Sequence, residues 1–256
     1  MSTPRRVSVV TGGGSGLGAA IASTFAAAGD HVVVVDVHRG RADAVADDIG
    51  ATGGSVEVSV LDVTDGAAVD EAVSGVHERH GRLDVLVCSA AVETRSPIVD
   101  CADEDWQRVI DTNVKGPFLC MRAAIPRMVA SGGGSVVLLG SILGAIGSPN
   151  YAAYCASKGA LNNLAKQAAV EHAPDGVRVN VVAPSATDVG LFMELIAQAP
   201  DPDAIVRMVA GRTPMRRLGR AQEVADTVAF LCSGGAGYIT GAVIPVDGGM
   251  VARRIV

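Results

Sequence analysis

Seven short valine-rich runs punctuate the chain at 7–10, 31–36, 55–61, 83–88, 135–140, 178–183 and 242–246. Strands that stay apolar on both faces are strands covered by helices on both sides, the habit of parallel sheets. Between the runs lie longer amphipathic segments at about 16–29, 39–50, 65–80, 103–130, 151–173 and 220–233. This alternation predicts an α/β fold, a doubly wound sheet of seven parallel strands joined by right-handed helical crossovers. Asp65 and Asp103 are placed to cap helix starts, and Gly29 and Gly50 to stop helices. No repeat, Ser/Pro-rich linker or change of composition divides the chain, so residues 1–256 read as a single domain. The alternation breaks once, over 188–217, where Pro200, Pro202 and Pro214 sit among Leu191, Phe192, Met193, Leu195 and Ile196. A long apolar insertion of this kind is the expected form of a substrate loop.

Composition refines the picture. Hydrophobic residues make up 49% of the chain and aromatics only 3%, so Val, Ala, Leu and Ile must fill the core. The net charge of −6 is dispersed, with no basic stripe to hold a phosphate backbone, which argues against nucleic acid as a partner. No apolar run reaches the roughly 18–20 residues that span a bilayer, and the start, Met1 to Val7, lacks the layout of a secretory signal. Cys88, Cys101, Cys120, Cys155 and Cys232 are odd in number and irregularly spaced, which favours reduced thiols and a cytoplasmic location over a disulfide framework. The cluster His77-Glu78-Arg79-His80 has no third ligand nearby in sequence and reads as a solvated helix face, so no metal is expected.

The first strand runs straight into Thr11-Gly-Gly-Gly-Ser-Gly-Leu-Gly18, and the next segment reads as a helix. Gly12 permits a tight turn, Gly16 lets a pyrophosphate approach the backbone, and Gly18 lets the helix pack close to the sheet. In this strand–turn–helix setting the glycines predict a dinucleotide site of Rossmann-like form, with the helix N-terminus facing the phosphates. Asp36 ends the second strand, where a carboxylate accepts hydrogen bonds from ribose hydroxyls and repels a 2′-phosphate. The turn around Gly13 and Ser15 holds no Arg or Lys, so NAD is expected rather than NADP, although Arg39 and Arg41 lie nearby. Asp62 and the backbone of Val63 are placed to meet an adenine ring, unless Asp62 only caps the helix that follows.

A second cluster bears on chemistry. Tyr154 and Lys158 are four residues apart on a predicted helix, hence on one face about one turn apart. A tyrosine with its reference pKa near 10 needs about 3 units of depression to act as a base at neutral pH, which an ammonium and a positive nicotinamide ring can supply. Ser141 closes the preceding strand and can orient a substrate oxygen toward the phenol. Asn113 lies inside a predicted helix, a poor place for Asn without a reason, and can bind a water that links Lys158 to solvent.

These positions together resemble the short-chain dehydrogenase/reductase family, with matches from Thr11 to Gly249. They are Thr11-Gly12, Gly16, Gly18, Asp36, Asp62, Asn113, Ser141, Tyr154, Lys158, Asn180, Pro184 and Asp247-Gly-Gly249. The resemblance implies an oxidoreductase moving a hydride between NAD and a secondary alcohol or the corresponding ketone. It gives Tyr154 the acid/base role, Lys158 the depression of its pKa and the nicotinamide ribose, Ser141 the substrate, and Asn113 the proton relay. It also places Ser15, Leu17, Ala90, Pro184 and the backbone near Thr187 against the cofactor, and implies a homotetramer built on the helices 103–130 and 151–173 and the last strand.

The chain departs from the family pattern at Cys88-Ser-Ala-Ala91, Ser185 and Val189. A rival within the family is a 3-oxoacyl-[acyl-carrier-protein] reductase. Its carrier-docking cations are missing from the turns Ser131-Gly-Gly-Gly134 and Pro174-Asp-Gly176. A rival of another class is a non-catalytic nucleotide-binding regulator, against which the intact Ser141, Tyr154 and Lys158 argue.

Overall fold

The computed structural model describes residues 5–197 and 199–252; the reading of the N-terminus therefore lies partly outside the described residues. The apolar runs form strands β1 Val7–Thr11, β2 His31–Asp36, β3 Ser55–Val60, β4 Val85–Cys88, β5 Gly134–Leu139, β6 Val177–Pro184 and β7 Val243–Val246. All pair in parallel in the order β3-β2-β1-β4-β5-β6-β7. Successive side chains point to opposite faces, so the central strands feed two cores. Val7, Val9, Val33 and Leu86 join one cluster, Val10, Val32, Val34 and Val85 the other.

The helices are α1 Gly16–Ala27, α2 Arg39–Ala51, α3 Gly66–His80, α4 Asp103–Ile110, α5 Gly116–Ala130, α6 Ala152–His172, α7 Leu191–Ile196, α8 Pro202–Arg212 and α9 Ala221–Leu231. Val69 and Val73 of α3, Met128 of α5 and Leu161 of α6 cover the first core. Phe25 of α1, Ile49 of α2 and Val228 of α9 cover the second. Phe25 is fully buried, and sealing a side chain of that size is worth about 1.5–3 kcal/mol.

Helix punctuation follows sequence in part. Asp65 caps α3, accepting from the backbone N–H of Ala67 and Ala68 at 3.0 and 3.2 Å. Gly29 follows α1 at φ +95°, the left-handed conformation that ends a helix. Two expectations are corrected. Ala102, not Asp103, precedes the first turn of α4, and Asp103, Glu104 and Asp105 sit within that turn, where carboxylates complement the helix dipole. Gly50 lies inside α2, which runs on to Ala51 before Gly53 turns the chain at φ +79°.

The predicted helix over 103–130 contains a π-turn at Asp111–Lys115, closed by a bond from the Gly116 N–H to the Asp111 carbonyl. Gly116 is required there, because a Cβ would come within 2.8 Å of Val63 Cγ2. The insertion over 188–217 is not an irregular loop but carries α7 and α8. Asn180 and Asp247 are structural: buried Asn180 donates to the Ile239 carbonyl and accepts from the Ala242 N–H. Asp247 accepts from the N–H groups of Gly249 and Val251.

The His77–His80 stretch is not simply a solvated face. The His80 ring lies 4.2 Å from that of His31 on β2, and their free ring nitrogens come together with a Glu57 oxygen from β3 within 4.8 Å. A third group with ligand chemistry is thus supplied by the sheet edge. The Glu57 carboxylate already takes the Arg79 guanidinium at 2.7 Å. Arg79 and burial oppose any further cation, and burial also keeps the His31 pKa below its usual value. We read this cluster as an ionic brace between α3 and the sheet edge.

Candidate functional site

Sheet order reverses direction between β1 and β4, and ligands of such folds lie beyond the carboxyl ends of the strands at that switch. The glycine turn occupies this position. Gly12 has φ +65°, and a Cβ on it would lie 2.7 Å from the backbone of Ala90 beyond β4. A Cβ on Gly18 would fall 2.0 Å from the Gly12 carbonyl oxygen, so only glycine lets α1 start this close to the turn. Ser15 precedes α1 in extended conformation, and its side chain makes no capping hydrogen bond. The first N–H groups of α1 are therefore left for an anion, the chemistry a pyrophosphate needs. Gly190 closes over this turn, its Cα 2.9 Å from where a Cβ of Gly16 would be.

Asp36 is buried at the end of β2. One carboxylate oxygen accepts from Gly14 N–H at 3.0 Å and the other from His38 N–H at 2.9 Å, which fixes the group at the edge of the glycine turn. Arg39 and Arg41 are exposed on the first turn of α2. Asp62 does not cap α3; it accepts from Thr64 N–H at 2.8 Å, and Val63 beside it is buried. Ala90 N–H reaches Thr11 Oγ1 at 3.4 Å. Where the family pattern has Asn, buried Cys88 meets Cys120, and that contact and burial hold its thiol well above the usual value. Pro184 ends β6, and the Thr187 hydroxyl is turned back to the Val189 carbonyl at 3.2 Å.

The second cluster assembles around the start of α6. Lys158 is buried, and its Nζ donates to the Leu139 carbonyl at the end of β5 at 2.7 Å. The same Nζ lies 5.4 Å from the centre of the Tyr154 ring. Burial pulls the Lys158 pKa down to about 8, partly opposed by Cys88 and Glu93. Tyr154 goes the other way from the sequence expectation. Burial first and the Glu93 charge second push its pKa well above the usual tyrosine value, and a hydrogen bond with Ser141 opposes them. The residues of the chain do not, by themselves, poise the phenol for neutral pH.

Asn113 is fully buried at the π-turn. Its Oδ1 accepts from Val92 N–H at 2.8 Å, and its amide donates to the Val92 carbonyl at 2.8 Å and to Ser157 Oγ at 3.1 Å. Both amide hydrogens are used, so the side chain is a brace and has no donor left for a water. Its carbonyl is a different matter. Pro117, four residues on, has no N–H, so the ordinary helical partner of that carbonyl does not exist.

Three residues at this site escaped the sequence reading. Glu93 is partly buried, with Oε1 sealed from solvent and without a hydrogen-bond partner. Arg95 donates to the Tyr151 hydroxyl at 2.7 Å and lies over the same ring at 4.7 Å. Tyr151 lies 6.1 Å, ring to ring, from Tyr154. Glu93 and Arg95 carry one sequence signal, their position as charged residues just beyond the carboxyl end of β4, and Tyr151 carries none beyond its place before α6.

Comparison with known proteins decides the lineage. The family profile described as enoyl-(acyl carrier protein) reductase matches residues 12–251. This chain belongs to the short-chain dehydrogenase/reductase family. It is similar to cis-4-hydroxycyclohexanecarboxylate dehydrogenase of Sinomonas cyclohexanicum, 40% identical over 96% of this chain and 97% of that one. It is 35% identical to a 3-oxoacyl-[acyl-carrier-protein] reductase of Thermotoga maritima, over 96% of this chain and 98% of the relative. The solved structure of levodione reductase superposes with a TM-score of 0.94 at 33% identity, covering 97% and 98% of the two chains. The chain is thus an oxidoreductase of this family with the seven-stranded Rossmann-like sheet predicted from its pattern. Among the described residues no helix is long and apolar enough to cross a membrane.

Proposed function

We propose that the chain is an NAD-dependent dehydrogenase of secondary alcohols, or reductase of the matching ketones, built as one catalytic domain with 188–217 as its substrate segment. The observation that carries this reading is Tyr154, Lys158 and Ser141 meeting beside the glycine turn, with Asp36 fixed at its far edge. The uncapped start of α1 and the Gly12, Gly16 and Gly18 backbone fit a pyrophosphate, and Asp36 fits a ribose diol better than a 2′-phosphate. Leu17, Asp62, Val63, Ala90, Pro184 and Thr187 surround the same cleft by position and complete the candidate cofactor surface.

When bound, the oxidised nicotinamide supplies the hydride acceptor and a positive charge beside the phenol. Ser141 and Tyr154 hold the substrate oxygen, and Tyr154 takes its proton as the carbinol carbon is oxidised. Lys158 holds positive charge near the phenol ring and is positioned by the Leu139 carbonyl. The proton path continues past Asn113 through its carbonyl rather than its amide. The relatives support a small cyclic or acyl substrate, since one is named for a hydroxycyclohexane carboxylate and another structure for levodione. The reading includes a homotetramer in a reducing cytoplasm. Phe118 on α5 and Val170 on α6 are exposed apolar residues on the helices implied to pack together, and the described cysteines are free.

The acyl-carrier alternative has a relative of that name, but the turns at 131–134 and 174–176 carry no cation to meet an acidic carrier. The test is NADH formation from NAD⁺, with NADP⁺ in parallel, over secondary alcohols, diols and hydroxy acids, and NADPH oxidation with a 3-oxoacyl thioester. Turnover with NAD⁺ is expected, and Tyr154→Phe abolishes it while NADH still binds. Undiminished turnover by Tyr154→Phe overturns the mechanism.

A further inference from the structure

We propose that Glu93 is a specificity-determining residue that binds a second hydroxyl of the substrate, so that diols, polyols and hydroxy ketones are preferred over simple secondary alcohols. The inference deepens the proposed function and rests on it.

The segment after β4 is tied down at both ends. Val92 is clamped by both polar atoms of the Asn113 amide, at 2.8 Å each. Ser96 pairs with Tyr151, its N–H bonding the Asn150 carbonyl at 3.0 Å, and Arg95 is committed to the Tyr151 hydroxyl and ring. Glu93 lies between these anchors, so its backbone is fixed beside the start of α6. The charged and titratable groups that feel it are Arg95 on its own segment, Tyr151 beside α6, and Tyr154 and Lys158 on α6. Three of these are the Tyr154–Lys158 pair and its neighbour, so the partly buried Glu93, with Oε1 sealed from solvent, lies close to the proposed reaction site.

Its Oε1 is sealed from water and accepts no hydrogen bond. A buried carboxylate oxygen without a donor costs free energy, and such groups are rare unless a ligand completes them. Arg95 is near enough to matter electrostatically, yet its Nε is turned to Tyr151. With no side chain or backbone N–H of the chain bonded to it, this oxygen is open to a donor on the substrate. An ammonium is disfavoured by Lys158 and Arg95, and a carboxylate by Glu93 itself. A hydroxyl is the donor that meets neither repulsion. The substrate then offers one oxygen to Ser141 and Tyr154 and a second to Glu93, which fixes which carbon faces the nicotinamide.

The experiment compares kcat/KM, with NAD⁺, for cyclohexanol and the 1,2-, 1,3- and 1,4-cyclohexanediols, in the full chain and in Glu93→Gln and Glu93→Ala. Wild type is expected to favour at least one diol over cyclohexanol by about 10- to 100-fold, the worth of one hydrogen bond to a charged group. Glu93→Ala is expected to erase most of that ratio, and Glu93→Gln to retain part of it. Both variants also lose the charge that raises Tyr154, so their kcat/KM for cyclohexanol should begin to rise at lower pH. Equal losses on cyclohexanol and the diols, or a diol ratio untouched by Glu93→Ala, overturn the proposal while leaving the dehydrogenase reading intact. Absence of NAD⁺ turnover with every alcohol in wild type overturns both.

Discussion

Replacing Asp36 tests cofactor choice against a purely structural role, because the structure gives the carboxylate two tasks. Its oxygens hold the Gly14 and His38 N–H groups at 3.0 and 2.9 Å. Asp36→Ala strands both donors, at about 1–3 kcal/mol for each that stays buried and unpaired. For a chain of this length, a loss of about 2 kcal/mol lowers Tm by roughly 4–8 °C. The functional cost is separate. Charge-assisted bonds from ribose hydroxyls are worth about 1.5–3 kcal/mol each, so losing NAD recognition should lower kcat/KM for NAD⁺ by about 100-fold, or about 2.7 kcal/mol. The carboxylate also repels a 2′-phosphate: unit charges 4 Å apart interact by about 4 kcal/mol at an effective dielectric of 20. Its removal, with Arg39 and Arg41 already on the first turn of α2, should raise kcat/KM for NADP⁺. The assay is the ratio of kcat/KM for the two cofactors, with NADH affinity by fluorescence and Tm measured on the same protein. A lower Tm with an unchanged NAD⁺/NADP⁺ ratio would mean that Asp36 only braces the turn, and the argument for NAD would fall.

Two further substitutions probe the catalytic cluster. Burial holds Lys158 at about 8 against an ordinary lysine value of 10.5, a gap worth about 3 kcal/mol at 1.36 kcal/mol per pKa unit. The unfolded chain binds this proton more tightly, so the Lys158 contribution to stability rises between pH 8 and 10.5 and is lost as pH falls. Lys158→Met should therefore be inactive yet melt higher than wild type at pH 7, with the gap closing toward pH 10.5; a lower Tm throughout refutes this. Asn113→Ala removes three buried hydrogen bonds, costing about 2–4 kcal/mol in a denaturant titration. It keeps the carbonyl, so the pH midpoint of kcat should stay in place while KM rises, and a displaced midpoint refutes a relay through the backbone.

Much of this molecule was legible because its signals are local. Strands such as Val32 to Val35 are valine at every position and buried on both faces, so a run alone marks them. Tyr154 and Lys158 meet because four residues make one helical turn, and Gly12 and Gly18 declare a turn that tolerates no Cβ. The misses depend on distant partners. Gly50 resembles a helix stop, yet α2 continues to Ala51 and the left-handed turn falls at Gly53, and no rule of spacing separates the two glycines. Glu93, Arg95 and Tyr151 acquire meaning only when the segment after β4 is pinned to the start of α6, more than fifty residues away. The His31, Glu57 and His80 cluster likewise needs two strands and a helix end to come together.

Asn113 shows how the structure can give a residue a task that its sequence position does not reveal. An Asn inside a helix calls for an explanation, and binding a water that links Lys158 to solvent is the one its sequence position suggests. The structure uses that amide otherwise, to clamp Val92 and Ser157, whose hydroxyl in turn donates to the Tyr154 carbonyl at 2.8 Å. One side chain thereby ties the Glu93 segment to the turn of α6 that carries Tyr154, so the residues proposed for substrate recognition and for proton transfer share a single anchor. Under the proposed function the proton path is assigned to the main chain, since Pro117 deprives the Asn113 carbonyl of its ordinary i+4 donor within the π-turn. The informative sequence feature is therefore the pair Asn113 and Pro117, four residues apart. The first residue builds the scaffold, and the second removes the ordinary i+4 donor of its carbonyl, which is the group the proposed relay needs.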